Sequence, residues 1–168
     1  EVSCKNGLSY TETDTGNLEA VKKACQPHTK AVYIETPSNP MMQITDIAAV
    51  SQWAHANDLK VIVDNTFLTP YFQKPLQLGA DIVLHSATKY LGGHNDLLAG
   101  ILIAKSEEDA TRLKFLQNTV GACLSPFDSW LLLRGLKTLP LRMDRHASSA
   151  LKIAEWLRRQ PKIKKVFY

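Results

Sequence analysis

A chain of 168 residues with 45% hydrophobic and 21% charged content is long enough for one domain with a proper core. Its net charge of +4 suits an anionic cofactor and gives no argument for nucleic acid. It has no apolar run long enough for a transmembrane helix, so none is expected, and its polar first residues give no expectation of a secretory signal. Cys4, Cys25 and Cys123 form no C-x-x-C and no metal-ligand spacing, so reduced thiols in the cytoplasm and no metal are expected. Glu1 stands where a natural start would have Met, so the start is expected to lie upstream.

Residues 1–16 read as a polar loop leading to Asn17 as a helix N-cap. Leu18, Val21 and Cys25 then give a short amphipathic helix ended by Pro27. A buried strand is expected over 31–35, and Pro37 and Pro40 bracket a rigid turn after it. A helix follows from Thr45 to about Asn57, then a short buried strand over 60–64. A loop and short helix fill 66–80, with Gly79 at the end, and a further strand spans 81–85. A fourth apolar strand is expected over 100–104, with a helix over 107–118. Ser125-Pro126 is a cap followed by an N1 proline, opening a helix through Leu136. Pro140 opens the last long helix, to about Arg159, and Pro161 breaks it. Residues 163–168 read as the first strand of a further unit. The β-α-β alternation predicts an α/β fold with a mostly parallel sheet covered by helices.

In open α/β sheets, ligands bind beyond the carboxyl ends of parallel strands. That rule gathers Asn39, then Asp64 and Thr66, then Ser86, Thr88 and Lys89 at one edge. An amine flanked by hydroxyls can hold a phosphate or form a Schiff base with a carbonyl. The glycines follow Lys89, at Gly92 and Gly93, so the spacing is not that of a G-x-x-x-x-G-K-[ST] phosphate loop. Schiff-base chemistry with pyridoxal 5'-phosphate (PLP) fits better, with the hydroxyls taking the phosphate. His94 and Asp96 lack a third ligand nearby and read as structural. His28, His55 and His146 carry no argument, and His85 ends a strand with no role assigned. The cations between Arg158 and Lys165 read as a solvated helix end, since no stacking aromatics interleave with them.

Asp81-Ile82, Ser86-Ala-Thr-Lys89-Tyr90, Gly93-His94 and Asp96 resemble the lysine signature of the PLP enzymes of cysteine and methionine metabolism. These are the cystathionine β- and γ-lyases, cystathionine γ-synthase and methionine γ-lyase. Glu35-Thr-Pro-Ser-Asn-Pro40, Val63-Asp-Asn-Thr-Phe67 and the run from Ser125 to Met143 are similar to the same family. The resemblance implies the large PLP-binding domain of the type I, aspartate aminotransferase-like fold. Residues 1–160 would be its C-terminal part with the linker helix, and 161–168 the start of a small domain. It implies that Lys89 is the Schiff-base lysine and proton carrier. Asp64 would face the pyridine nitrogen, Asn39 the phenolic oxygen, Ser86 and Thr88 the phosphate, and Thr66 the underside of the ring. The implied activity is elimination or replacement at Cβ or Cγ of a sulfur-containing amino acid, in a cytoplasmic homo-oligomer such as a tetramer. Family parts upstream and downstream find no match in 1–168, so this stretch alone is expected to be inactive. A non-catalytic PLP carrier or interaction domain is the alternative. A nucleotide-binding α/β domain is disfavoured by the absence of G-x-G-x-x-G.

Overall fold

Alternating burial organises the sheet. The structure, a computed structural model, describes residues 7–168, so Cys4 and the first part of the expected N-terminal loop lie outside the described residues. Four strands pair in the order β1 (Ala31–Glu35), β2 (Lys60–Asp64), β3 (Ile82–Ser86) and β4 (Gly100–Ala104). β1, β2 and β3 are parallel, with Ile34 opposite Val63 and Val63 opposite Val83. β4 runs antiparallel to β3, with His85 opposite Ile101. The difference follows from the connections. Crossover segments with helices join β1 to β2 and β2 to β3, whereas the loop after β3 returns directly to the same edge.

Ile34, Val61, Val63 and Val83 point to one face and are buried against Ile47, Val50 and Ala54 of α2 (Ile47–His55). α1 (Leu18–Ala24) adds Leu18 to the margin of this core. Asn17 caps α1 by accepting from Glu19 N–H and Ala20 N–H. The connection from β2 to β3 holds α3 (Thr69–Phe72) and a 3-10 turn (Pro75–Leu78). That turn ends at Gly79 with φ 105, where a Cβ would lie 2.7 Å from Ser51 Cβ on α2. The position demands glycine for both backbone and space.

A second core lies beneath the loop after β3. Ala87, Leu91 and Leu97 pack on Leu132 of α5 (Pro126–Leu136) and on Leu139 and Met143 of α6 (Leu139–Arg158). α4 (Glu107–Val120) is capped by Ser106, buries none of its residues and follows β4. Ser125 caps α5 as the sequence predicts.

The structure departs from expectation at several ends. α2 begins at Ile47, not Thr45, because Asp46 takes the cap by accepting from Ala49 N–H. Thr45 is instead buried, its N–H donated to Thr36 Oγ1 at 2.9 Å. α1 stops at Ala24, ahead of Pro27, where Cys25 turns extended. Residues 163–168 form no strand. A strand needs a neighbour to complete its hydrogen bonds, and here the tail lies along α6, with Tyr168 Oη donating to Ala147 O at 3.3 Å.

Ile34→Ala removes a fully buried side chain facing α2. It is expected to destabilise the protein by about 2–5 kcal/mol, read as a lower urea midpoint with an unchanged slope.

Candidate active site

Three chain segments leave the carboxyl edge of the parallel strands, and each is fixed by its own hydrogen bonds. After β1, Ser38 closes a turn: its carbonyl accepts from Met42 N–H at 2.8 Å and its hydroxyl from Gln43 N–H at 3.0 Å. Asn39 sits exposed on that turn. After β2, the Asp64 carboxylate is held on both oxygens. Thr66 N–H donates to Oδ1 at 3.0 Å, and Tyr33 Oη donates to Oδ2 at 3.2 Å. After β3, Ser86 N–H donates to Thr66 Oγ1 at 2.8 Å, which ties the third segment to the second.

Lys89 lies in the turn that follows. Its N–H donates to Ser86 O at 3.1 Å, and its carbonyl accepts from Gly93 N–H at 2.8 Å. Ala87 and Leu91 on either side are buried in the second core, so the lysine projects from an anchored turn. Among the described residues the Lys89 ammonium has no hydrogen-bond or ion-pair partner, and the residue is exposed.

A cleft of about 510 Å³ opens between these segments, a size ordinary for a small-molecule site. Asn39, Asp64, Thr66, Ser86 and Lys89 all line it. Thr88 does not. Its hydroxyl accepts from Ala99 N–H at 3.0 Å and faces Ala99 O at 3.3 Å, pinning the turn to the chain that enters β4.

Glu35, Phe67, Tyr90, Gly93, Asn95 and His146 complete the lining. Glu35, not among the expected site residues, stands opposite Asp64 in the register, and its place at the end of β1 is the signal that could have found it. His146 comes from α6, and its ring lies 5.5 Å from the Tyr90 ring; no local signal in the sequence marks it.

Burial, followed by the Asp64 charge and hydrogen bond, pushes the Tyr33 phenol up to about 12. Burial holds His85 below the ordinary imidazole range, although the Asp64 charge pulls the other way. His85 is buried, with no partner for Nδ1 among the described residues. His94 bonds within its own turn, Nδ1 to Gly92 O at 2.9 Å. No cluster of His, Cys, Asp and Glu suited to a metal occurs among the described residues. A second cleft of about 540 Å³, between α6 and the tail, is lined by Glu155, Arg158, Lys164, Lys165, Tyr168 and apolar side chains. It has no side-chain amide and no serine or threonine hydroxyl, which the first cleft sets beside its amine and carboxylates.

That set of groups fits a PLP-sized anionic cofactor, and the comparisons with known proteins agree. The family profile described as Cys/Met metabolism PLP-dependent enzyme matches residues 1–168. The chain belongs to this family. PLP is the family's cofactor. Cystathionine beta-lyase of Lactococcus lactis subsp. cremoris (strain MG1363) is 52% identical over 168 residues, covering 100% of this chain and 44% of that protein. Cystathionine gamma-synthase of Haemophilus influenzae is 50% identical over 163 residues, 97% of this chain and 44% of that protein. The crystal structure of cystathionine gamma-lyase from Lactobacillus plantarum, complexed with L-serine, superposes with a TM-score of 0.97 at 49% identity. It is matched over 100% of this chain and 44% of its own. The chain thus spans less than half the length of the curated family members it matches.

The Tyr33 phenol gives an alkaline signature. Its folded value of about 12 lies above the ordinary 10.0, so between those values the unfolded chain releases this proton and the folded chain keeps it. Stability must fall across that window and be unaffected by this group below it. Tyr33→Phe is expected to make the alkaline loss of stability shallower, read by comparing urea midpoints of parent and variant as pH rises.

Proposed function

We propose that the protein carrying this chain is a PLP-dependent carbon–sulfur lyase or transsulfuration transferase. It performs elimination or replacement at Cβ or Cγ of a sulfur-containing amino acid such as cystathionine. The observation that carries this reading is that Lys89 and Asp64 line one cleft in a chain of a PLP-dependent family. Bound there, PLP supplies an electron sink that makes the α-proton of an amino acid removable.

Lys89 would be the residue that holds the cofactor through its amine, and when free that amine would carry the proton of the substrate's Cα. Asp64 would be the carboxylate for the ring nitrogen, whose protonated state its charge would favour. Two donors fix its direction, Tyr33 Oη and Thr66 N–H. Asn39 would offer its amide to the cofactor's phenolic oxygen, and Thr66 would pack against its ring; both line the cleft. The Ser86 hydroxyl would take the phosphate, and Thr88 would have to release Ala99 for its hydroxyl to join it. Identities of 52%, 50% and 49% to a β-lyase, a γ-synthase and a γ-lyase support the reaction class without selecting a member.

The same reading places the protein in a cytoplasmic homo-oligomer. Phe127, Trp130 and Leu133 of α5 are exposed, which supports burial of that face in a larger assembly. No helix of the described residues is long and apolar enough to cross a membrane.

Lys89→Ala in the intact protein is expected to lower turnover of cystathionine by at least about 10²–10⁴-fold. The unfolding midpoint should stay unchanged, because Lys89 is exposed. A variant with parent-like turnover would remove Lys89 from the chemistry. Retained PLP in a parent protein that turns over no sulfur amino acid would support the carrier reading instead.

A further inference from the structure

The turn that carries Lys89 is gripped by a residue far away in the chain. Arg142, on the first turns of α6, donates Nη1–H to Tyr90 O at 2.7 Å and Nη2–H to Gly135 O at 2.8 Å. A longer contact of 3.5 Å runs from Nη2 to Leu91 O, and Nε donates to Thr138 Oγ1 at 3.0 Å. One planar cation therefore bridges the Lys89 turn, the end of α5 and the start of α6. Only guanidinium has donors spread in a plane that can reach such a set at once.

The surrounding backbone is shaped to admit it. Gly93, at φ +80, has no room for a side chain: a Cβ would lie 2.3 Å from Arg142 Cζ. A Cβ on Gly135 would lie 2.2 Å from Gly92 O, so α5 touches the turn backbone to backbone. α6 adds a second hold one turn further on, where His146 packs on the Tyr90 ring. The residue immediately after Lys89 is thus fixed at its carbonyl by Arg142 and at its ring by His146. Burial lowers the Arg142 pKa from its ordinary value, as expected for a partly desolvated cation.

We propose that Arg142 is a positioning residue for Lys89. It latches the 89–93 turn to the α5–α6 junction, so that the ammonium enters the cleft from a fixed backbone. The proposal rests on the reading of Lys89 as the cofactor lysine. A reacting amine must be placed to within about 0.5 Å. A misplacement of about 1 Å costs on the order of 10²-fold in rate. Removing the latch acts on placement and leaves the chemical groups of the cleft in place.

The test uses the intact protein with four variants: Arg142→Gln, Arg142→Lys, Gly135→Ala and the exposed neighbour Arg145→Gln as control. In the PLP-free protein, Arg142→Gln is expected to speed amide hydrogen exchange in the 86–93 segment and leave the β1 and β2 segments at parent rates. With PLP, it is expected to lower kcat on the order of 10²-fold with KM little changed. Arg142→Lys restores the cation but reaches fewer carbonyls, so its kcat should stay below a tenth of the parent's. Gly135→Ala displaces the same turn without touching the cation and should reproduce the exchange effect. If it fails to fold, the Arg142 variants decide alone. Arg145→Gln should match the parent. Parent-like exchange and kcat in Arg142→Gln overturn the latch, as does full rescue by Arg142→Lys. Lys89→Ala separates this from the site itself. If that variant still takes up PLP as a lysine-bound chromophore at the parent's rate, the reading of Lys89 fails; if it does not, a parent-like Arg142→Gln defeats the latch alone.

Discussion

One hydrogen bond, from Ser86 N–H to Thr66 Oγ1 at 2.8 Å, extends the pairing of β2 and β3 past the end of the ladder. The last backbone bond there runs from Asn65 N–H to Leu84 O at 2.9 Å. Beyond it the two chains diverge, and a hydroxyl takes the place of a carbonyl. Thr66 also donates its own N–H to Asp64, so the carboxylate and the Lys89 turn are referred to the same residue. The parallel register sets which way they face. Val61 and Val63 are fully buried toward α2, so Asp64 faces the other side with Tyr33. A slip of one residue would put the carboxylate among Ile47 and Val50 and the valines in the cleft. Burying an unpaired charge in that core would cost far more than the ladder gains from a new register.

The loops above the sheet are stiffened from below by buried amides. Asn65 is completely buried and exchanges hydrogen bonds with Gln73, donating to Gln73 O at 2.9 Å and accepting from Gln73 Nε2 at 2.8 Å. Gln73 Nε2 reaches Thr36 O at 3.2 Å, which joins the segment after β1 to the segment after β2. Thr36 in turn holds Thr45 N–H, and Thr45 Oγ1 meets Thr15 Oγ1 at 2.7 Å. Each of these groups left unpaired would cost about 1–3 kcal/mol. The set therefore stands or falls together and resists loosening of any one loop. Asn39 and Asp64 are thereby carried on connected supports.

The parts of the site that were legible in the sequence are those placed by strand ends. Asn39, Asp64, Thr66, Ser86 and Lys89 each follow a short apolar run, and period-two alternation with crossover connections is enough to bring them to one edge. Thr88 is grouped with Ser86 by the resemblance, and hydroxyls two apart on a turn can converge on one phosphate. In the structure the Thr88 hydroxyl is engaged by Ala99, a partner eleven residues on that no local pattern announces. Tyr33 and Arg142 were out of reach for the same reason. Their partners lie 31 and 52 residues away, and nothing local in a strand tyrosine or a helical arginine reports such a pairing. The tail at 163–168 has the composition of a strand, but a strand is a property of a pair, and the described residues offer it no partner.

α6 does more than lead out of the domain. Leu139 and Met143, four apart, share the face that closes the core under Ala87 and Leu91. Arg142 and His146, also four apart, form a neighbouring stripe that meets Tyr90 at its carbonyl and at its ring. Both stripes act on the turn that bears Lys89, one through apolar packing beneath it and one through polar contact beside it. Packed side chains transmit small displacements because the interior has few voids to absorb them. A shift of the first turns of α6 would therefore be felt at the position of a single amine.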